Sequence, residues 1–374
     1  MSPRRIVIVG GGPAGVGAAL GARQQDAAAE VILLSDESCE PYEKPPLSKA
    51  VLTGKAMPHE APIAGPKGVA GADITLKTRA RVQAIDRAAK AVVTESGERV
   101  PYDALVLATG SINRILPMFP PGPAIHYLRT EQDSLALKAA LARSRSLIVI
   151  GGGLIGLEVA ASAAELGVTT TVIEIAPRIL ARVCDEETSA FVHQHHIAHG
   201  VDIRLATAVS GMRSSPDGRL AVDTQAGDTL TTDMIVVGTG AVPDDALARA
   251  AGLDVADGIV VDDRGRTSEP AIFAAGADVA YNVAPSFWSE QYDLYIQGIG
   301  WQPPHPTRRV RRSLAGNARL SFDLDGDHVV YATGINVQRD IAAARRLIER
   351  RVPVDPAALA DPTKPLNALL KAKA

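Results

Sequence analysis

Cysteine is scarce. The chain has 374 residues and only two cysteines, Cys39 and Cys184, with no C-x-x-C spacing. That excludes a thioredoxin-type dithiol and a tetrahedral cysteine zinc site. A reducing, cytoplasmic setting is the expectation. A strong charge of one sign is also missing. The formal net charge is −3, so the molecule as a whole carries no nucleic-acid footprint. No uninterrupted apolar stretch reaches the roughly 18 residues that a membrane span needs, so no membrane partner is expected. The run Ile6-Val7-Ile8-Val9 after Arg4-Arg5 resembles a signal peptide only briefly, because three glycines and Pro13 interrupt it. It reads as a buried strand entering a loop.

What is present is apolar mass and glycine. Hydrophobic residues make up 46% of the chain, enough for a large core, and the length suits two or three domains. Charge is uneven. The segment from Pro285 onward has an excess of Lys and Arg, and the remainder an excess of Asp and Glu. The tail therefore suits an acidic partner, with a mixed solvated surface as the plain alternative.

Two glycine fingerprints stand out. The first is Val9-Gly10-Gly11-Gly12-Pro13-Ala14-Gly15, and the second is Ile150-Gly151-Gly152-Gly153-Leu154-Ile155-Gly156. Each follows a β-rich run and precedes an Ala-rich helical stretch. In such a unit the first glycine permits a tight turn, the second lets a pyrophosphate approach the backbone, and the third lets helix pack on strand. The helix N-terminus then offers N–H groups and a positive dipole end to the phosphates. One loop alone is a weak signal. Two imply that two dinucleotides meet in one chain, and the economical chemistry is hydride transfer from a nicotinamide to a flavin. Glu174 stands about 20 residues after the second loop, where a carboxylate accepts ribose hydroxyls and repels a 2′-phosphate. That favours NADH over NADPH. In the first unit the same slot holds Ser35, with Asp36 next, and Asp36 is the candidate for the ribose role.

Asp103–Gly110 and Asp233–Gly240 are buried apolar strands ending in Thr-Gly, each expected to close a nucleotide domain. Ile272–Ala274 leads to a Gly276-Ala277-Asp278 turn, with Asp278 placed for a flavin ribityl chain. Farther on, a hairpin is expected around Asp325-Gly326-Asp327, followed by a basic helix over Arg339–Arg351.

Several stretches together resemble the oxygenase-coupled NADH:ferredoxin reductases. They are the two fingerprints, Tyr42-Glu43-Lys44-Pro45-Pro46-Leu47-Ser48-Lys49, Ala108-Thr109-Gly110, Leu128-Arg129-Thr130 with Asp133, and Pro285-Ser286-Phe287-Trp288-Ser289-Glu290-Gln291-Tyr292-Asp293. The resemblance implies an α/β protein with two Rossmann-like dinucleotide-binding domains, in the glutathione-reductase-like arrangement, plus a C-terminal α+β domain. It implies FAD on residues 1–112 and 243–281, NADH on 113–242, and an interface domain over 282–374. It also implies hydride passage from NADH to FAD, then single electrons to a [2Fe-2S] ferredoxin serving a Rieske oxygenase or a cytochrome P450. The chain would act as a monomer or homodimer. One departure stands against the pattern: the helix expected after Ala280 is missing, as if by an internal deletion, so one wall of the flavin site is shortened.

Under the same resemblance, Lys49 sits beside the flavin with Glu158 as its partner on the nicotinamide side. A surface lysine and a helix-start glutamate are the plain alternatives. Pro46 would press on the flavin ring or simply stiffen a turn. Val82, Arg129 and Trp288 would contact FAD, each with a structural role as its alternative. Gly240 and Arg178 would serve NADH, Arg178 being equally at home as an exposed residue. Arg308, Arg309, Arg311 and Arg312 would face an acidic ferredoxin or form a solvated loop. His193, His195, His196 and His199 share helix faces in pairs, but no carboxylate or cysteine completes a ligand set. No metal is expected, and the helix reads as polar. The rivals are an NADH oxidase, peroxidase or disulfide reductase, and a flavin-deficient variant with impaired activity.

Overall fold

The computed structural model describes residues 3–215, 218–274 and 284–370. It divides into two compact units, one of Met1–Arg114, Leu128–Leu135 and Gly240–Tyr281, the other of Ile115–Tyr127, Ala136–Thr239 and Asn282–Ala374. The C-terminal segment, read from sequence as a third domain, thus groups with the second unit.

The first unit is built on a five-stranded parallel sheet. Its order is Ile272–Ala274, Ala104–Leu107, Arg5–Val9, Glu30–Leu34 and Thr75–Lys77. Strands covered on both faces read as continuous apolar runs, and these do. Val7 and Ile8 are both fully buried, on opposite faces. Ile8, Val31 and Leu33 pack with Val16 and Ala19 of the helix Pro13–Gln25. Val7, Ile32 and Leu34 pack with Val92 and Val100 of a small antiparallel sheet, and Val82 joins that cluster.

The second unit repeats the plan. Its parallel sheet runs Asp202–Arg204, Thr169–Ile173, Ser146–Ile150, Met234–Val237 and Ile125–His126. The helix Leu154–Glu165 is buried from Gly156 through Ala163, which its small side chains allow. The same unit carries a five-stranded antiparallel sheet in the order Ser286–Gln291, Leu294–Gly300, His328–Ile335, Arg319–Asp325 and Arg308–Arg312. The helix Gln338–Glu349 lays Ile341, Ala343, Ala344 and Leu347 on it, against Phe322, Leu324 and Ile299.

Two surface readings change here. The basic run is a strand, and alternation divides it. Arg309 forms a two-point ion pair with Asp323, at 2.6 and 3.0 Å. Arg312 is buried and donates to the carbonyls of Asp361 and Lys364. Arg311 pairs with Glu187 at 2.8 Å. The run is therefore divided: Arg309 and Arg312 are tied into the structure, while Arg308 and Arg311 are exposed. The histidine-bearing helix, Glu186–Ala198, is not simply polar either, since Thr188, Ser189, Val192 and His196 are buried.

Asp185 caps that helix, accepting from the N–H groups of Glu187 and Thr188. It also accepts from Ser321 Oγ at 2.5 Å, which fastens the helix to the C-terminal sheet. Burial alone would raise its pKa. The hydrogen bonds from Ser321 and Thr188, with the charge of Arg309, win and hold it below the ordinary 3.8. A carboxyl lowered in the folded state stabilises above its unfolded pKa and loses that contribution as pH falls through the folded value. Asp185→Ala is expected to cost about 2–4 kcal/mol, from the lost cap and the orphaned Ser321. Thermal unfolding at neutral pH would show it, and the gap from the parent should narrow below about pH 4.

Candidate functional site

The two glycine loops have nearly the same local geometry. Gly10 has φ +115° and Gly151 φ +108°. A Cβ on Gly10 would lie 2.1 Å from the Ala108 carbonyl oxygen, and one on Gly151 would lie 2.7 Å from that of Gly238. A Cβ on Gly15 would lie 1.8 Å from Gly10 O, and one on Gly156 would lie 2.1 Å from Gly151 O. These four glycines are demanded by backbone contact. Gly12 and Gly153 differ. Each is the N-cap of its helix, each has extended backbone, and neither helix has a side-chain cap. A Cβ on either would meet nothing within 4 Å. Each loop thus leaves open space before an uncapped helix N-terminus, where a pyrophosphate binds. Pro13 at the first helical position gives up an N–H that the helix does not use, and Ala14 follows it.

In the second unit, Glu174 follows the strand Thr169–Ile173. Its Oε2 accepts from Gly152 N–H at 2.6 Å and its Oε1 from Ala176 N–H at 2.7 Å. The carboxylate is fixed beside the loop, with lone pairs remaining for further donors. A cavity of about 480 Å3 opens here, lined by Gly151, Gly153, Glu174, Ile175, Arg182 and Met118 among others. Its size and its mostly apolar wall with a few polar groups suit half of a dinucleotide. Leu154 and Ile155 begin the helix, Ile155 half-exposed, and Gly240 lies just past the Thr239 that lines the cavity. Arg178 does not line the cavity. Its guanidinium donates to the carbonyls of Ala181 and Cys184, both at 2.9 Å. Arg182 is the arginine there. Sequence reading took the first arginine after Glu174; only the turn of the loop separates the two.

Glu158 is buried, 3% exposed, and Ser289 Oγ donates to its Oε1 at 2.6 Å. Nothing local announces this partner, which lies 131 residues away in sequence. Trp288, the next residue back, faces the other way, half-exposed and stacked on Tyr295.

In the first unit, Ser35 occupies the place beside Gly11 that Glu174 takes beside Gly152. Asp36 is exposed and lies 3.9 Å from Arg81. Glu37 is taken up by a knot: Lys44 Nζ and Tyr42 OH approach it at 2.7 and 2.5 Å. Burial would raise the Glu37 pKa, but Lys44 and Tyr42 bring it down. Tyr42 OH also accepts from Glu131 N–H at 2.7 Å, and Ser134 Oγ donates to the Leu47 carbonyl at 2.7 Å. The Tyr-Glu-Lys-Pro-Pro run thus ties the segment Leu128–Leu135 to the loop that carries Pro46 and Lys49. Pro46 lies in the short 3-10 turn Pro45–Ser48, and Lys49 closes it, half-buried. Arg129 Nε donates to the Ser111 carbonyl at 2.9 Å, beside Gly110. Thr109 Oγ1 donates to the Asp244 carbonyl at 2.6 Å. Val82 is partly buried and packs against the core of the first unit. Asp278 lies outside the described residues.

Both thiols are held protonated. Burial, then Glu131, pushes Cys39 up to about 12. Burial, then Asp185, pushes Cys184 up to about 12. Neither is a ready thiolate. Among the described residues no group of three His, Cys, Asp or Glu side chains is arranged to hold a metal. No helix among them is long and apolar enough to cross a membrane.

A family model described as pyridine nucleotide-disulphide oxidoreductase matches residues 4–298, and one described as reductase C-terminal matches residues 286–370. The ferredoxin–NAD(+) reductase component of an anthranilate 1,2-dioxygenase system from Burkholderia cepacia is 38% identical, over 99% of this chain and all of that protein. Putidaredoxin reductase from Pseudomonas putida is 34% identical, over 98% and 97%. Among solved structures, the covalent putidaredoxin reductase–putidaredoxin complex superposes with a TM-score of 0.91, at 33% identity and 99% coverage of both chains. The first of these alignments runs over 409 positions, more than the 374 residues here. That agrees with an internal shortening. The place read for it from sequence, after Ala280, lies outside the described residues.

Proposed function

The chain belongs to the pyridine nucleotide-disulphide oxidoreductase family, and from that premise we propose that it is an FAD-dependent NADH:ferredoxin reductase. The observation that carries this is the pair of open, uncapped glycine loops, each on its own parallel sheet. FAD is assigned to residues 1–112 and 243–281, NADH to 113–242, and the electron acceptor's face to 282–374. The electron acceptor is a ferredoxin, by likeness to relatives whose names pair them with one. Its [2Fe-2S] type is the finer part of the proposal.

The residues present fit both dinucleotides. Gly10, Gly12, Pro13, Ala14 and Gly15 form the cradle for the FAD pyrophosphate, with Asp36 nearest the ribose slot. Ala108, Thr109, Gly110 and Arg129 border that loop, and Pro46 and Lys49 are offered to the flavin ring. When bound, FAD supplies acceptance of a hydride and release of single electrons, which no side chain can do. The protein's part is placement and charge. Gly151, Gly153 and Gly156 hold the NADH pyrophosphate against the helix end, and Glu174 takes the adenosine ribose. Glu158 holds the nicotinamide carboxamide. No side chain is needed as acid or base. The protonated thiols, Cys39 half-buried and Cys184 buried, favour this reading over a disulfide reductase.

The test is reduction of a [2Fe-2S] ferredoxin from an oxygenase system by the purified chain under anaerobic conditions. NADH should drive bleaching of the ferredoxin, and NADPH should be far less effective. NADH consumption with no ferredoxin reduction, matched by loss of a titratable thiol, would overturn the proposal. Cys39→Ser should retain most of the ferredoxin-reducing rate, because a thiol held at about 12 does no chemistry at neutral pH.

A further inference from the structure

A buried polar chain leads from His196 to Glu158. Glu158, Ser289, Gln291 and His196 are exposed by 3%, 0%, 2% and 0%. Ser289 Oγ lies 2.6 Å from Glu158 Oε1, Gln291 Nε2 lies 3.0 Å from Ser289 Oγ, and His196 Nε2 lies 2.8 Å from Gln291 Oε1. The direction of every bond follows from the carboxylate. A carboxylate accepts, so Ser289 donates its O–H. The Ser289 oxygen then accepts from the Gln291 amide N–H, which turns the amide oxygen to His196. His196 must therefore carry its proton on Nε2. Burial, partly opposed by the Gln291 hydrogen bond, pushes the His196 pKa down to about 4, so the ring is neutral at working pH. Its Nδ1 is buried without a hydrogen-bond partner, as an unprotonated nitrogen can be.

The strand geometry explains why these side chains line up. Ser289 and Gln291 are two residues apart on Ser286–Gln291 and share its inner face, while Trp288 and Glu290 point outward. A buried charge without partners is costly. Ser289 meets Glu158 directly, and Gln291 and His196 order that donor in turn.

We propose that Ser289, set by Gln291 and His196, is the positioning residue that fixes Glu158 for the nicotinamide end of NADH. The proposal rests on Glu158 meeting the nicotinamide, as assigned above. The experiment separates the two. Flavin-loaded, full-length protein is titrated with the unreactive tetrahydro analogue of NADH and, separately, with ADP-ribose, which lacks the nicotinamide. Ser289→Ala should weaken the analogue about tenfold, the scale of one lost hydrogen bond to a charged group, and leave ADP-ribose unchanged. Ser289→Thr, which keeps the hydroxyl, should recover most of the affinity. In a Glu158→Gln background, Ser289→Ala should add less than about twofold, since coupled residues do not act additively. If Glu158→Gln weakens the analogue while Ser289→Ala does not, the positioning role is overturned and the role of Glu158 stands. If Ser289→Ala weakens analogue and ADP-ribose alike, its effect is general structure and the proposal fails. If Glu158→Gln leaves analogue affinity unchanged, the assignment of Glu158 itself fails, and the proposal with it.

Discussion

Gly153→Val is expected to lower kcat/KM for NADH by on the order of 100-fold, about 3 kcal/mol of transition-state stabilisation, with the fold and the flavin content intact. A Cβ at this position meets nothing within 4 Å, so the protein itself has no objection to a side chain. The isopropyl group instead fills the space before the uncapped helix N-terminus, where the pyrophosphate must come close to backbone N–H groups. Gly151→Ala is the contrasting control. Its Cβ would lie 2.7 Å from the Gly238 carbonyl oxygen at φ +108°, so it should lower thermal stability as well. Steady-state kinetics beside a melting curve tells the two apart. If Gly153→Val keeps the parent's kcat/KM, the second loop is not the NADH site.

Gly12→Val makes the matching statement about the first loop. Gly12 also caps its helix without a side-chain partner, and its Cβ direction is open. The variant should purify folded with flavin at less than about a tenth of the parent's content, a loss of over 1.4 kcal/mol in binding. Its isolated NADH loop should still take up ADP-ribose. Flavin content measured after release by denaturation decides it. Full retention of FAD in Gly12→Val would remove the first loop from the cofactor site.

The loops were legible in sequence because their requirements are local. Gly10 and Gly151, at positive φ against a carbonyl oxygen, tolerate nothing else, and Gly15 and Gly156, early in each helix, lie against the carbonyl oxygens of those two glycines. The parallel sheets were legible for a similar reason, through unbroken apolar runs such as Ile6–Val9 and Leu147–Ile150. Glu174 could be found from its distance along the chain. Ser289 could not be linked to Glu158, because their meeting depends on a strand from the C-terminal sheet packing on the loop helix, and no pattern near either residue encodes that. The four clustered arginines misled for the opposite reason. Sequence shows their density but not the alternation that sends Arg309 to Asp323 and Arg312 to backbone carbonyls. The histidines misled likewise: His196 reads as one of a polar group, while its helix turns it into the core.

An aligned relative holds positions for which this chain has no residues, and the sequence pattern puts the loss beside the flavin. The proposal that this chain binds FAD and is reduced by NADH is therefore tested most directly by an anaerobic absorption spectrum of the purified chain, recorded before and after addition of NADH. The account predicts visible flavin bands that bleach with NADH. A colourless protein that takes up no added FAD would contradict it.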